Sequence, residues 1–180
     1  MPKFDKSWTL FLDRDGVINV EKKGGYILSW EEFQFEEGAL EALAILNGVF
    51  GHIIVVTNQR GVGRGLMSME ALRDIHHRMR LLIQANGGRI DAIYACTDAD
   101  LNSPCRKPAI GMALEAKKDF PAIQFERSVM VGNSVSDMEF GRKLGMYNIW
   151  IVSNQESMSS GLADESWKSL YEWALSLRWM

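Results

Sequence analysis

Short runs of β-branched and aliphatic residues alternate along this chain with longer segments of helical period, and that alternation constrains its fold more than any other feature. A strand, a helix-length crossover and a second strand build a parallel sheet covered by helices on both faces. Strands are predicted near Thr9–Asp13, His52–Thr57, Asp91–Ala95, Ser128–Gly132 and Tyr147–Val152. Helices are predicted near Gly38–Asn47, Ser68–Asn86, Gly111–Phe120 and Ser136–Leu144. The expected class is α/β, a doubly wound parallel sheet. Right-handed crossovers bring the carboxyl ends of all strands to one edge, where open sheets of this kind bind their ligands.

With 180 residues, 47% of them apolar, the chain suits one globular domain over residues 1–180. Its irregular pieces are expected at Ala99–Pro108 and Ser153–Asp164, and "QRGVGRG" reads as a flexible turn. In the tail, Trp167, Leu170, Tyr171, Ala174 and Leu175 recur at helical spacing, a stripe that reads most simply as core packing. The 20 basic and 23 acidic residues leave a formal charge of −3, which gives no electrostatic footprint for nucleic acid or an anionic membrane. Runs such as "HIIVV" are too short to span a bilayer, and "MPKFDKSW" has no apolar signal region. The expectation is a cytoplasmic monomer or weak homodimer whose partner is a small soluble molecule. Two cysteines, Cys96 and Cys105, are too few for a disulfide scaffold and fit a reducing compartment.

The polar residues that end the strands carry the chemistry. In "TLFLDRDGVINV", Asp13 and Asp15 stand two residues apart, a spacing that in a strand aims both carboxylates to one face at the cost of their repulsion. Thr57 and Asn58 end the second strand, and "GNSVSD" follows the fourth. Polar groups from three strands therefore converge on one sheet edge, as a metal site with a nucleophile would require.

Together, "FLDRDGVIN", "VVTNQRGVGRG", "CRKP" and "VGNSVSD" resemble the haloacid dehalogenase superfamily of phosphotransferases, within it the branch of histidinol-phosphate and heptose-bisphosphate phosphatases. The resemblance implies a Rossmann-like core with little or no cap domain, and a Mg2+-dependent phosphomonoesterase working through an aspartyl-phosphate. It implies Asp13 as nucleophile, Asp15 as acid and base, and Lys107 as the cation that stabilises the transferring phosphoryl group. Gly16, whose turn would bring backbone N–H groups to the phosphate, is expected to bind it with Thr57, Asn58 and Gln59. Arg64 and Arg106 are expected to contact the rest of the substrate. Mg2+ is expected on Asp13, the Asp15 carbonyl, Asn133 and Asp137, because hard oxygens suit that ion. The substrate implied is a sugar such as D-glycero-D-manno-heptose 1,7-bisphosphate, with histidinol phosphate as the alternative. "GGYILSWEEFQFEEG" also resembles the heptose type.

Two positions depart from the pattern. Asn133 stands where relatives place an aspartate, which removes one negative charge from the metal set and leaves open a non-catalytic, phosphosugar-binding protein. Asp137 reads equally as a partner of Lys107 or bound water and as an acid at a helix start. The zinc loop of the branch aligns with Cys96, Asp98, Ser103 and Cys105, so two of four ligands are altered and structural zinc is not expected. His76 and His77, adjacent on a helix, read as helix surface.

Overall fold

The computed structural model describes residues 2–152 and 161–179. In chain order the elements are β1 (Thr9–Leu12), α1 (Ala39–Val49), β2 (His52–Asn58), α2 (Arg60–Gly63), α3 (Met69–Ala85) and β3 (Ala92–Cys96). These are followed by α4 (Gly111–Asp119), β4 (Ser128–Gly132), α5 (Val135–Lys143), β5 (Tyr147–Ile151), β6 (Glu165–Trp167) and α6 (Leu170–Ser176). All strand pairs are parallel, and the six strands lie in the order β3-β2-β1-β4-β5-β6. The α/β class and its doubly wound, Rossmann-like sheet are as the alternating pattern requires.

Strand periodicity divides the core in two. Leu10 and Leu12 of β1 point to the face where Leu43 and Leu46 of α1, Leu72 and Ile75 of α3, and Trp173 of α6 pack. Phe11, between them, points to the other face with Met112 of α4 and Phe140 of α5. Because both faces are covered, the central strands are apolar throughout, and β4 is buried along its whole length. Helix α3 starts at Ser68, whose side chain accepts from the Ala71 N–H, and buries Leu72, Ile75, Met79 and Ile83.

Three segments differ from expectation. The glycine-rich turn is the one-turn helix α2, anchored by Arg60 Nε donating to the Ala99 carbonyl at 2.7 Å. Trp167 leaves the predicted tail stripe, since Glu165–Trp167 add a sixth strand beside β5, and the fully buried aromatic of α6 is Trp173. The irregular segment expected at Ser153–Asp164 lies outside the described residues over 153–160. Among the described residues no helix is long and apolar enough to cross a membrane.

Candidate active site

The chain runs from β1 outward through β2 to β3, then returns to place β4 on the other side of β1. The crevice at that switch point is where the sheet cannot cover itself. Asp13 leaves β1 there, its N–H donating to the Val131 carbonyl of β4 at 2.9 Å. The strand ends at Leu12, and Asp13 and Asp15 do not continue its pleat. The Arg14 carbonyl accepts from the Ile18 and Asn19 N–H groups, and Gly16 takes φ 80° in the turn between them. Both carboxylates line one cavity of about 200 Å³, with Asn58, Gln59, Lys107, Asn133 and Asp137 also in its wall.

On one side of the cavity, Lys107 bridges two acids. Its Nζ donates to Asp13 Oδ1 at 2.8 Å and to Asp137 Oδ1 at 2.6 Å, and the side chains of Lys107 and Asp137 are each 1% exposed. Burial disfavours the Lys107 ammonium, but the charges of Asp13 and Asp137 and their hydrogen bonds outweigh it and raise its pKa. Asp13 is pushed up to about 7 by burial and by the Asp137 charge, with Lys107 opposing. The other Asp137 oxygen accepts from the N–H groups of Asn133 and Ser134 and from Ser134 Oγ. Asp137 is thus both the helix-start acid and the partner of Lys107, with one oxygen engaged in each role. Gly132 permits this approach, because a Cβ there would lie 2.3 Å from Asp137 Cβ.

Asn58 has a second task. Its Oδ1 accepts from Lys107 N at 3.0 Å and its Nδ2 donates to the Lys107 carbonyl at 3.2 Å, so the amide clasps the lysine's backbone while the residue lines the cavity. The Gly16 N–H, expected to face phosphate, donates to the Asn19 carbonyl at 2.7 Å. What Gly16 supplies is space: a Cβ there would lie 1.9 Å from Asn133 Nδ2.

On the other side, three side-chain donors surround Asp15. Arg14 Nη2 at 2.9 Å and Asn19 Nδ2 at 3.0 Å reach Oδ1, and Gln59 Nε2 reaches Oδ2 at 2.9 Å. Burial raises the Asp15 carboxyl, but the Arg14 charge and these hydrogen bonds prevail and hold it below its usual range. Gln59 Nε2 also donates to Thr57 Oγ1 at 2.8 Å, so the fully buried Thr57 holds the amide that reaches Asp15. Arg14, Asn19 and His76 escaped sequence reasoning. Arg14 had a signal, since a cation between two acids is placed to neutralise one of them; the adjacent histidines gave none for His76.

At the rim, Asn133 Nδ2 donates to Glu21 Oε2 at 3.3 Å, and Glu21 lines the cavity beside it. Arg64 and Arg106 stand outside the lining, around Tyr26, where hydrogen bonding from Arg64 and the charges of Arg64, Arg60 and Arg106 lower the Tyr26 hydroxyl. Cys96 and Cys105 are joined in a disulfide with Cα atoms 5.4 Å apart, where free thiols were expected. A turn closed by Ser103 N–H donating to the Asp100 carbonyl returns Cys105 to the end of β3. Asp98 and Ser103 lie beside it, but a disulfide offers no thiolate, which argues against zinc.

The motifs that first suggested a haloacid dehalogenase phosphatase thus meet at one sheet edge, and the comparisons agree. A model of the polynucleotide kinase 3 phosphatase family matches residues 4–144. The chain is 37% identical to a D-glycero-alpha-D-manno-heptose-1,7-bisphosphate 7-phosphatase of Mycobacterium bovis, covering 94% of this chain and 91% of the relative. It is 33% identical to a D-glycero-beta-D-manno-heptose-1,7-bisphosphate 7-phosphatase of Mesorhizobium japonicum, over 86% and 73% of the two chains. A D,D-heptose 1,7-bisphosphate phosphatase from B. bronchiseptica, crystallised with magnesium and phosphate, superimposes with a TM-score of 0.83 at 26% identity, covering 96% of this chain and 98% of its own. The chain belongs to the haloacid dehalogenase superfamily of phosphatases, in the branch that contains these heptose-bisphosphate enzymes.

Proposed function

We propose that this protein is a Mg2+-dependent phosphomonoesterase that removes the 7-phosphate of D-glycero-D-manno-heptose 1,7-bisphosphate. The observation that carries this reading is the pairing of a buried, lysine-bridged Asp13 with a separately hydrogen-bonded Asp15 in one small polar cavity. Asp13 Oδ2, the oxygen not held by Lys107, attacks phosphorus and the ester P–O bond breaks, leaving an aspartyl-phosphate. Asp15 gives the departing alkoxide its proton and regains one from the water that hydrolyses the aspartyl-phosphate. Its donors favour the ionised form, the form left after the alkoxide departs and the one that accepts the water proton, while the negative charge of bound phosphate favours the protonated form that begins the cycle. Lys107 keeps Asp13 in place and offsets charge on the phosphoryl oxygens as they become more negative.

The cavity's donors suit Mg2+, because its carboxylates and amides offer hard oxygens and its lining contains neither thiolate nor imidazole. Asp13, the Asp15 carbonyl and the Asn133 amide oxygen would hold the ion, with Glu21 returning nearby the negative charge that Asn133 lacks. Bound there, Mg2+ would screen the repulsion between carboxylate and phosphate. Arg64 and Arg106, beside Tyr26, are placed to meet the substrate's second phosphate, a role suited to the guanidinium fork. The named activity of the relatives supports the same substrate.

The test is phosphate release with Mg2+ from both heptose 1,7-bisphosphate anomers, heptose 7-phosphate and histidinol phosphate. The bisphosphate is expected to exceed the 7-phosphate by roughly tenfold or more in kcat/KM, the contribution of one charge-assisted contact. Preference for histidinol phosphate would redirect the substrate assignment. Binding of the bisphosphate without release would make the protein a binder.

A further inference from the structure

Helix α3 turns its apolar stripe to the core, and His76 lies four residues after Leu72 and three before Met79, on the edge of that stripe. His77 faces solvent, but His76 is half-buried with Nε2 3.1 Å from Arg14 Nη1. Arg14 is fully buried, and its other amino group, Nη2, donates to Asp15 Oδ1. Guanidinium has donors only, so this contact requires His76 Nε2 to accept and the ring to be neutral with its proton on Nδ1. Burial and the Arg14 charge enforce that state, pushing His76 down to about 3.

The contact leaves Arg14 little freedom. Among the described residues its Nε has no partner, so the plane of this buried cation is fixed by two hydrogen bonds, one to His76 and one to Asp15. Without an acceptor at position 76, Nη1 would also be unpartnered and the guanidinium would be free to turn toward other acceptors. Asn19 and Gln59 would still touch Asp15, but the one cation bonded to it among the described residues would no longer be aimed.

We propose that His76 is a positioning residue for proton transfer: by accepting from Arg14 Nη1 it fixes the guanidinium so that Nη2 sets the orientation of the Asp15 carboxyl toward the leaving oxygen. This rests on the reading of Asp15 as the acid of the first half-reaction. It explains why a helix from outside the motif strands sends a histidine toward the site. A residue that only supports the fold would slow all substrates alike, whereas one that sets the acid matters most when the leaving group needs a proton.

The experiment measures kcat/KM, which reports the steps through leaving-group departure, for a sugar phosphate and for p-nitrophenyl phosphate, whose leaving group needs no protonation. His76→Ala, His76→Phe and His76→Gln are compared with the wild-type chain in Mg2+, with circular dichroism confirming folding. His76→Ala and His76→Phe should each lose about 10–100-fold on the sugar phosphate and under about threefold on the nitrophenyl ester. His76→Gln, which can offer Oε1 to Arg14, should recover most of the loss. In an Asp15→Asn background, His76→Phe should cost less than about twofold more. Equal losses on both esters, no loss on either, or a glutamine variant as impaired as phenylalanine would overturn the proposal while leaving the phosphatase reading in place. A wild-type chain inactive on both esters would overturn the phosphatase reading, and this proposal with it. His76→Phe keeps ring volume, so the test stands even if the alanine variant does not fold.

Discussion

Asp13 and Asp15 are separated by one residue yet occupy opposite electrostatic environments. Asp13 faces a buried lysine shared with a second acid, and burial with the Asp137 charge lifts it to about 7. Asp15 faces an arginine and two amides, which overcome burial and hold it low. One residue type is thereby differentiated by its neighbours alone, a pattern expected where two carboxylates divide nucleophilic and proton-transfer work. The turn at Arg14–Asn19 makes this possible, because a strand continuing past Leu12 would have aimed both groups into the same surroundings.

The strongest test of the contrast is to remove each charge in turn. Asp13→Asn is expected to reduce phosphate release by about 10⁴-fold or more with the fold intact, since the attacking oxygen is lost. Asp15→Asn should lose about 10²–10³-fold on sugar phosphates, within the range of general acid–base catalysis. Equal losses would mean that the two carboxylates are not differentiated as their environments indicate.

Proton linkage sharpens the comparison. A proton competes with Mg2+ for Asp13 below about pH 7, so metal affinity should rise with pH through that window and be roughly tenfold weaker at pH 6 than at pH 8. Calorimetry in buffers of different ionisation heat should find close to one proton released per ion at pH 6. Asp13→Asn should abolish the release, whereas Asp15→Asn should leave it. Release that survived in Asp13→Asn would assign the proton to another group.

The smallest effect concerns Asn133→Asp, which adds a carboxylate on the metal side. Alone, that charge would tighten Mg2+ by about tenfold, but Glu21 at 3.3 Å already supplies negative charge and would repel the new aspartate. The net gain expected in a Mg2+ titration is about three- to fivefold. A full tenfold gain would show that Glu21 does not contribute to the field at the ion.

The sheet, its helices and the gathering of Asp13, Thr57 and the β4 turn at one edge were legible in the sequence, because strand and helix periods record which side chains are buried, whereas Lys107 was expected there only from the family resemblance. Also legible was the ambiguity of Asp137, which resolved into both of its readings, one oxygen to each. The destinations of the polar donors were not legible. Asn58, Gln59 and the Gly16 N–H, expected on phosphate, hold Lys107, Asp15 and the Asn19 carbonyl in the structure. Residue type fixes what a side chain can donate or accept; which partner it meets depends on distant chain. Gln59 reaches Asp15 across 44 residues, His76 reaches Arg14 across 62 and Lys107 reaches Asp13 across 94. The sequence by itself determined the fold and the chemical groups at its carboxyl edge, since burial repeats locally with the pitch of each element. Only the tertiary structure decided which carboxylate is raised and which is lowered, since a charge responds to whatever folding brings within a few ångströms of it.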